Sequence, residues 1–146
     1  MAVDLDRIEQ LSSTETGLCV VAVDRGDGGV LSTVVNAGVL PHPVAGHPVV
    51  AFVTRGGTVK HERVRAGARI TVTFRRGWQY VSVEGAADVI GPDDPFDGFD
   101  AERLPQLLRD VFAAAGGTHD DWDEYDRVMA EERRVAVLVR PERTYG

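Results

Sequence analysis

Apolar residues along this chain recur with two different periods, and the switches between them outline its elements. Leu5, Ile8 and Leu11 fall at helical spacing, with Asp4 placed to cap the first turn. Residues 18–23 read as a strand, and Asp24-Arg25-Gly26-Asp27-Gly28-Gly29 as a hairpin turn of residues that tolerate positive φ. The return strand runs from Val30 to about Asn36; Pro41, Pro43, Gly46 and Pro48 then mark a loop outside any sheet, and residues 49–54 a third strand. Residues 60–66 predict a short helix stopped at Gly67. Over residues 69–75, Ile70, Val72 and Phe74 alternate with Thr71 and Thr73, the period of a strand with one buried face. Residues 78–90 predict one long strand bent at Gly85 and followed by Pro92. Leu104, Leu107, Leu108, Val111 and Phe112 share one face of a helix over 101–115. A further helix over 120–132 and a strand over 135–139 complete the chain before Pro141.

The sum is about six strands and three helices besides the short one, with early hairpins and no βαβ alternation. It predicts a mainly β chain with helices (α+β), an antiparallel barrel with helices packed at its ends, forming a single domain over residues 1–146. A hydrophobic content of 43% suffices for a core in a chain of this length without staples. Cys19 is the sole cysteine, which excludes an internal disulfide, and its apolar neighbours predict a buried, inert thiol. No apolar run approaches the roughly 20 residues of a membrane span, and no basic start precedes an apolar leader, so a cytoplasmic protein is expected.

Charge narrows the partners. The net charge of -7 argues against nucleic acid, whose affinity comes from phosphate contacts. The acids cluster, with 13 of 23 between Asp93 and Glu132, whereas residues 55–76 carry seven Arg and Lys against Glu62 alone. A basic segment in an acidic chain suggests a small anionic ligand, or a contact between the two segments across subunits. Within that segment Lys60 is the only lysine among 16 basic residues, and it closes Thr54-Arg55-Gly56-Gly57-Thr58-Val59-Lys60 behind an apolar strand. Strand, glycine turn, hydroxyl and cation make up an anion cradle, or else an ordinary hairpin loop.

Other chemistry is sparse. His42 and His47 lie in the proline-rich loop without a neighbouring acid to complete a zinc set, so no metal is expected. No G-x-S-x-G elbow and no Cys/His pair is present for nucleophilic hydrolysis. Trp78 and Tyr80, two apart on one strand, either flank a planar ring or fill the core, and periodicity favours the core. Asp121-Trp122-Asp123-Glu124-Tyr125 reads as a capped helix start with its aromatics packed inward.

Lys60 with Thr54 and Thr58, Gly77-Trp78-Gln79-Tyr80 leading to Val83-Glu84-Gly85, His119 to Tyr125 in unbroken order, and the closing Tyr145-Gly146 together resemble the split β-barrel flavin/deazaflavin oxidoreductases. This is the FMN-binding, pyridoxamine 5'-phosphate oxidase-like superfamily, and the resemblance is closest to its actinobacterial branch that binds coenzyme F420. It covers nearly the whole chain, most specifically over residues 54–85 and 119–132. What it implies is a homodimer of six-stranded antiparallel split β-barrels with two cofactors in clefts between subunits. In the family, the strand matching Ser32, Thr33, Val34, Val35 and Asn36 runs beside the tricyclic ring, and the strand end matching Val53 and Thr54 lies along the cofactor. Thr58 and Lys60 match the phosphate positions, but Thr58-Val59-Lys60 stands where the oxidases have Ser-Arg-Lys, so Arg63 or Arg65 is expected to supply the missing cation. Trp78 and Tyr80 fall where residues enter from the partner subunit. No match exists for the residues that hold pyridoxal phosphate, which argues against vitamin B6 oxidation.

The resemblance thus implies an F420-dependent oxidoreductase that passes hydride between the deazaflavin and an unidentified conjugated small molecule, with no catalytic acid or base assigned. An FMN-binding oxidoreductase of the same fold, a non-catalytic deazaflavin carrier, and a haem-binding split barrel are the alternatives. The last would need His42, His47 or His61 as axial ligand, for which their context offers nothing.

Overall fold

The computed structural model describes residues 3–146. Among them the elements run α1 (Leu5–Ser12), β1 (Leu18–Asp24), β2 (Val30–Pro41), β3 (Pro48–Thr54), α2 (Val59–Arg65), β4 (Ile70–Arg76), β5 (Gln79–Gly85), β6 (Ala87–Ile90), a 3-10 turn (Ala101–Arg103), α3 (Leu104–Ala114), α4 (Trp122–Glu131), β7 (Val135–Val139) and β8 (Arg143–Tyr145). Every strand pair is antiparallel, in the order β6-β7-β3-β2-β1-β4-β5-β8. β5 and β6 are joined through Ala86 alone, yet stand near opposite ends of that order. The sheet has to curl to bring them together, and the result is a half-barrel. None of the described helices is long and apolar enough to cross a membrane.

Eight strands stand where about six were expected. The single strand expected over 78–90 divides, because β5 pairs with β4 and β6 with β7. At the division, a Cβ on Gly85 would lie 1.8 Å from the Arg140 carbonyl oxygen, so only glycine lets the two segments cross. The eighth strand is β8, three residues beyond Pro141 that pair with β5. β2 also outruns its expected end at Asn36 and pairs with β3 from Ala37 to Pro41. Its terminal pair is Pro41 with Pro48, a place where the missing N–H groups interrupt no ladder.

Two apolar layers hold this sheet. Inside the curl, Val21, Val23, Phe52, Ile70, Val72 and Phe74 pack with Ile8 and Leu11 of α1, whose first turn Asp4 caps by accepting the Arg7 N–H. On the outer side of β3 and β7, Val49, Ala51 and Leu138 meet Leu107, Leu108 and Val111 of α3 and Tyr125 of α4. β7 is buried along its whole length, which explains why 135–139 is a continuous apolar run and not an alternating one. Each fully buried side chain of the size of Phe52 or Ile70 contributes about 1.5–3 kcal/mol. Cys19 belongs to the inner layer, and burial pushes its thiol up to about 12, in keeping with the inert role expected of it.

α3 approaches the sheet closely at its C-terminal end. A Cβ on Gly38 of β2 would lie 2.2 Å from the Ala114 carbonyl oxygen. Gly38→Ala should therefore lower stability by about 1–3 kcal/mol in urea unfolding, through backbone that cannot give way. Gly46→Ala, at φ +83 with nothing within 4 Å, should lose only about 1 kcal/mol. Equal losses would show that the approach at Gly38 is slack.

Candidate functional site

The barrel is split where β2 changes partner. From Val30 to Asn36 it pairs with β1, and from Ala37 onward with β3 instead. Val53 and Thr54, at the far end of β3, pair with β7 and have no partner on β2. Between these diverging strands lies a cavity of about 370 Å³. Val34, Val35 and Asn36 form one wall; Val53, Thr54 and Arg55 form the second; Val111, Phe112 and Ala115 of α3 with Tyr125 and Met129 of α4 form the third. Lys60 and Arg134 complete it. Its size is within the range of small-molecule sites, roughly 300–1,000 Å³. The edge of β2 over residues 30–36 that faces away from β1 carries no strand, so its amides and carbonyls are free to meet a ligand.

Lys60 is not the exposed loop cation its sequence context suggests: it is 7% exposed, on the first turn of α2. Its ammonium donates one hydrogen bond, 3.0 Å to Thr33 Oγ1. It also stands 5.7 Å from the centre of the Phe52 ring. Burial, with the Arg134 charge facing it, holds the Lys60 amine below its ordinary 10.5. An ammonium has three donors, and a cation out of water with no carboxylate beside it is an unmet demand for an anion.

Arg55, Glu132 and Arg134 make a second charged group at the rim. Glu132 takes a short hydrogen bond from Arg55 Nη2 and a long one, 3.4 Å, from Arg134 Nη2. Arg55 first, and Arg134 behind it, hold the Glu132 carboxyl below its usual range. One carboxylate is thus divided between two guanidiniums. Arg134 Nε has no partner, the one such buried side-chain polar atom among the described residues.

The glycine loop before α2 is fastened from behind. Gly57 N–H donates to His61 Nδ1 at 2.9 Å, which puts the ring proton on Nε2, and Nε2 donates to Asp94 Oδ2 at 2.8 Å. Arg65 donates to both oxygens of the same carboxylate, at 2.6 and 3.0 Å. Burial alone would raise the Asp94 carboxyl, but the hydrogen bonds from Arg65 and His61 hold it below its usual range. Thr58 caps α2: Oγ1 accepts the His61 N–H and donates to the Arg55 carbonyl oxygen. His42 is likewise structural, its Nδ1 accepting from Val44 and Ala45 N–H and its Nε2 donating to Asp88.

Of the residues marked out by sequence, Val34, Val35, Asn36, Val53, Thr54 and Lys60 converge on the cavity, and Thr33 orients Lys60. Thr58 supports the loop from outside the cavity lining. Arg63 turns away to the β1–β2 hairpin, bonding the Asp24 carbonyl oxygen and pairing with its carboxylate at 3.5 Å. Ser32 sits on the outward face of β2, opposite Ala22. The core reading of Trp78 and Tyr80 is corrected: Trp78 is fully exposed in the turn before β5, and Tyr80 is exposed beside it. The turn at Gly77, φ +59, carries residue 78 past the sheet edge before the strand period begins. Arg55, Val111, Phe112, Ala115, Tyr125, Met129 and Arg134 were not foreseen as site residues. Five of them read as ordinary helix core, and the one available signal was Arg134 placed directly before a wholly apolar strand.

No protein-family profile matches the sequence. Solved structures do match its fold over nearly its full length. The conserved hypothetical protein Rv2991 of Mycobacterium tuberculosis is 18% identical with a TM-score of 0.67, over 99% of this chain and 84% of that one. A protein related to general stress protein 26, of the pyridoxinephosphate oxidase family, from Clostridium acetobutylicum is 14% identical with a TM-score of 0.62, over 96% and 84% of the two chains. An F420 reductase is 14% identical with a TM-score of 0.61, over 96% and 94%. The chain shares the fold of these three proteins.

The charge on Lys60 is expected to weaken the ligand-free protein. Its amine titrates below 10.5 when folded, so the penalty is fully present at neutral pH and shrinks as pH rises from the lowered value toward 10.5. Lys60→Met, which keeps the apolar stem, should raise the melting temperature at pH 7, and the gap from wild type should narrow in alkali. A lower melting temperature at pH 7 would mean that the Thr33 bond and the Phe52 contact outweigh the buried charge.

Proposed function

We propose that this protein is a flavin- or deazaflavin-dependent oxidoreductase, with coenzyme F420 as cofactor and an electron-poor conjugated small molecule as substrate. The observation that carries this reading is the cavity in the split. It joins an unpaired strand edge, an apolar helical wall and a buried, under-satisfied ammonium in one space. A planar heterocycle with a phosphorylated tail needs those three features: hydrogen bonds along one ring edge, apolar contact, and a cation at the tail. The fold shared with an F420 reductase and a member of the pyridoxinephosphate oxidase family supports the same reading.

Bound there, the cofactor would supply hydride transfer, and the chain's work is placement. Residues 34–36 would meet the ring edge through backbone groups, Phe112 and Met129 would exclude water from it, and Lys60 would hold the phosphate. Tyr125 is no proton donor to the site: its hydroxyl donates to the Leu108 carbonyl oxygen at 3.0 Å, and burial pushes it up to about 12. Solvent entering from the open side would then provide the proton.

A second copy of the chain would close that open side. The outward face of the sheet sets Val34, Val20, Thr73, Ser82 and Tyr145 in one row across β2, β1, β4, β5 and β8. Leu18, Val20, Val34, Tyr80 and Tyr145 are exposed on it, and Val34 and Asn36 also line the cavity. Isologous pairing is the usual way to cover such a face, and it would bring the exposed Trp78 of each copy within reach of its partner's site. Sedimentation should accordingly give twice the 15.8 kDa of one chain, and Val20→Arg, an exposed apolar member of the row, should give monomers. A wild-type monomer at micromolar concentration would defeat the shared site.

The functional reading is tested by titrating the protein with F420 and FMN, then adding panels of quinones, enones and nitroaromatics to the protein loaded with reduced F420. F420 should bind at least tenfold more tightly than FMN, and at least one panel should be reduced. FMN binding more tightly would turn the reading to a flavin enzyme. F420 binding without any turnover would leave a carrier. Failure to bind either would refute the proposal.

A further inference from the structure

We infer that Arg134 is the second cation of the phosphate site, facing Lys60 across the cavity from the residues just ahead of β7. The assignment rests on the cofactor reading given above. A phosphate group at Lys60 carries more charge than one ammonium offsets, and further cations must come from nearby. Arg63 and Arg65 share α2 with Lys60, but both are committed elsewhere. Arg63 is bound to the carbonyl and carboxylate of Asp24, and Arg65 spans both oxygens of Asp94 while pairing with Glu62 at 3.1 Å. Neither lines the cavity that Lys60 lines.

Arg134 does line it, and its hydrogen-bonding capacity is unspent. Its guanidinium has one long bond, 3.4 Å to Glu132, and its buried Nε has none. A guanidinium carries five donors in a planar fork suited to oxyanions, and a buried one left unpaired is destabilising. Burial first, and the Arg134 charge after it, lower the proton affinity of the Lys60 amine. Around the cavity stand three cations, Arg55, Lys60 and Arg134, against the single carboxylate of Glu132. The surplus is positive and is concentrated between Lys60 and Arg134, where a phosphate would relieve the repulsion and take up the free donors of both. Glu132 keeps Arg134 partly neutralised until then and stays paired with Arg55 afterwards.

The test compares ligands with and without the phosphate-bearing tail. Wild type, Arg134→Gln, Arg134→Lys and Arg63→Gln are titrated with F420 and with its phosphate-free deazariboflavin core, and their melting curves confirm folding. Arg134→Gln should weaken F420 by roughly tenfold or more and leave the core's affinity unchanged, as expected for loss of a charge-assisted hydrogen bond. Arg134→Lys should recover part of the loss, and Arg63→Gln should change neither affinity. Unchanged F420 affinity in Arg134→Gln, or equal weakening of both ligands, would overturn the assignment while leaving the cofactor reading in place. If wild type binds neither ligand, the cofactor reading fails, and inorganic phosphate decides on Arg134 by itself. Phosphate should then raise the melting temperature of wild type above that in chloride of equal ionic strength, and should not do so for Arg134→Gln. An equal response in the two proteins, or none in either, would overturn it.

Discussion

A twelve-residue strand with two successive partners sets the shape of this molecule. β2 gives its first seven residues to β1 and its last five to β3, and no strand occupies the gap between those commitments. The two half-sheets diverge from that point, α3 and α4 cover the outside of one of them, and the wedge left over is the cavity. The close seat of α3 on Gly38 fixes how far the wedge can open, since backbone meets backbone there without a side chain between. The space for a ligand therefore follows from strand pairing, and its chemistry from whatever residues happen to border the gap.

Those residues are in electrostatic conflict. Lys60 and Arg134 are drawn out of water toward each other, while the buried dyad of His61 and Asp94 and the cap at Thr58 keep the glycine loop, and with it the start of α2, from relaxing. A protein selected for stability alone would place an apolar side chain at position 60. Keeping a lysine there would trade folding free energy for affinity toward the anion proposed above, a pattern common at functional sites.

Most of the fold was legible because its signals are local. Asp4 and Asp121 cap the helices their positions imply, and Ile70, Val72 and Phe74 face inward as their alternation requires. What escaped depends on long-range pairing. No local feature tells that residues 86 and 140 share a hydrogen bond, which is what breaks the strand at Gly85, or that β2 continues past Asn36 to meet β3. The site divides the same way. Residues 34–36, 53, 54 and 60 lie on neighbouring strands or just after them and were found through a familiar order of motifs. Phe112, Tyr125 and Arg134 reach the cavity through tertiary packing, and on a helical stripe a cavity wall has the same periodicity as a core. Trp78 misled because alternation was extended one turn too far; the strand begins only at Gln79.

The choice of a single lysine, and its place, has a consequence for the surface. With Lys60 buried, no lysine amine of this sequence stands open to solvent, and every other basic side chain except the four histidines is a guanidinium. Acylating, carbonylating and amine-crosslinking reagents, which attack neutral ε-amines, have no lysine to modify until the cavity admits them. Once inside they would meet an amine whose depressed basicity leaves more of it unprotonated, hence more nucleophilic, than a solvated lysine at the same pH. Covalent capture of that one amine would act as a clock on the opening of the cleft, with no second lysine to compete.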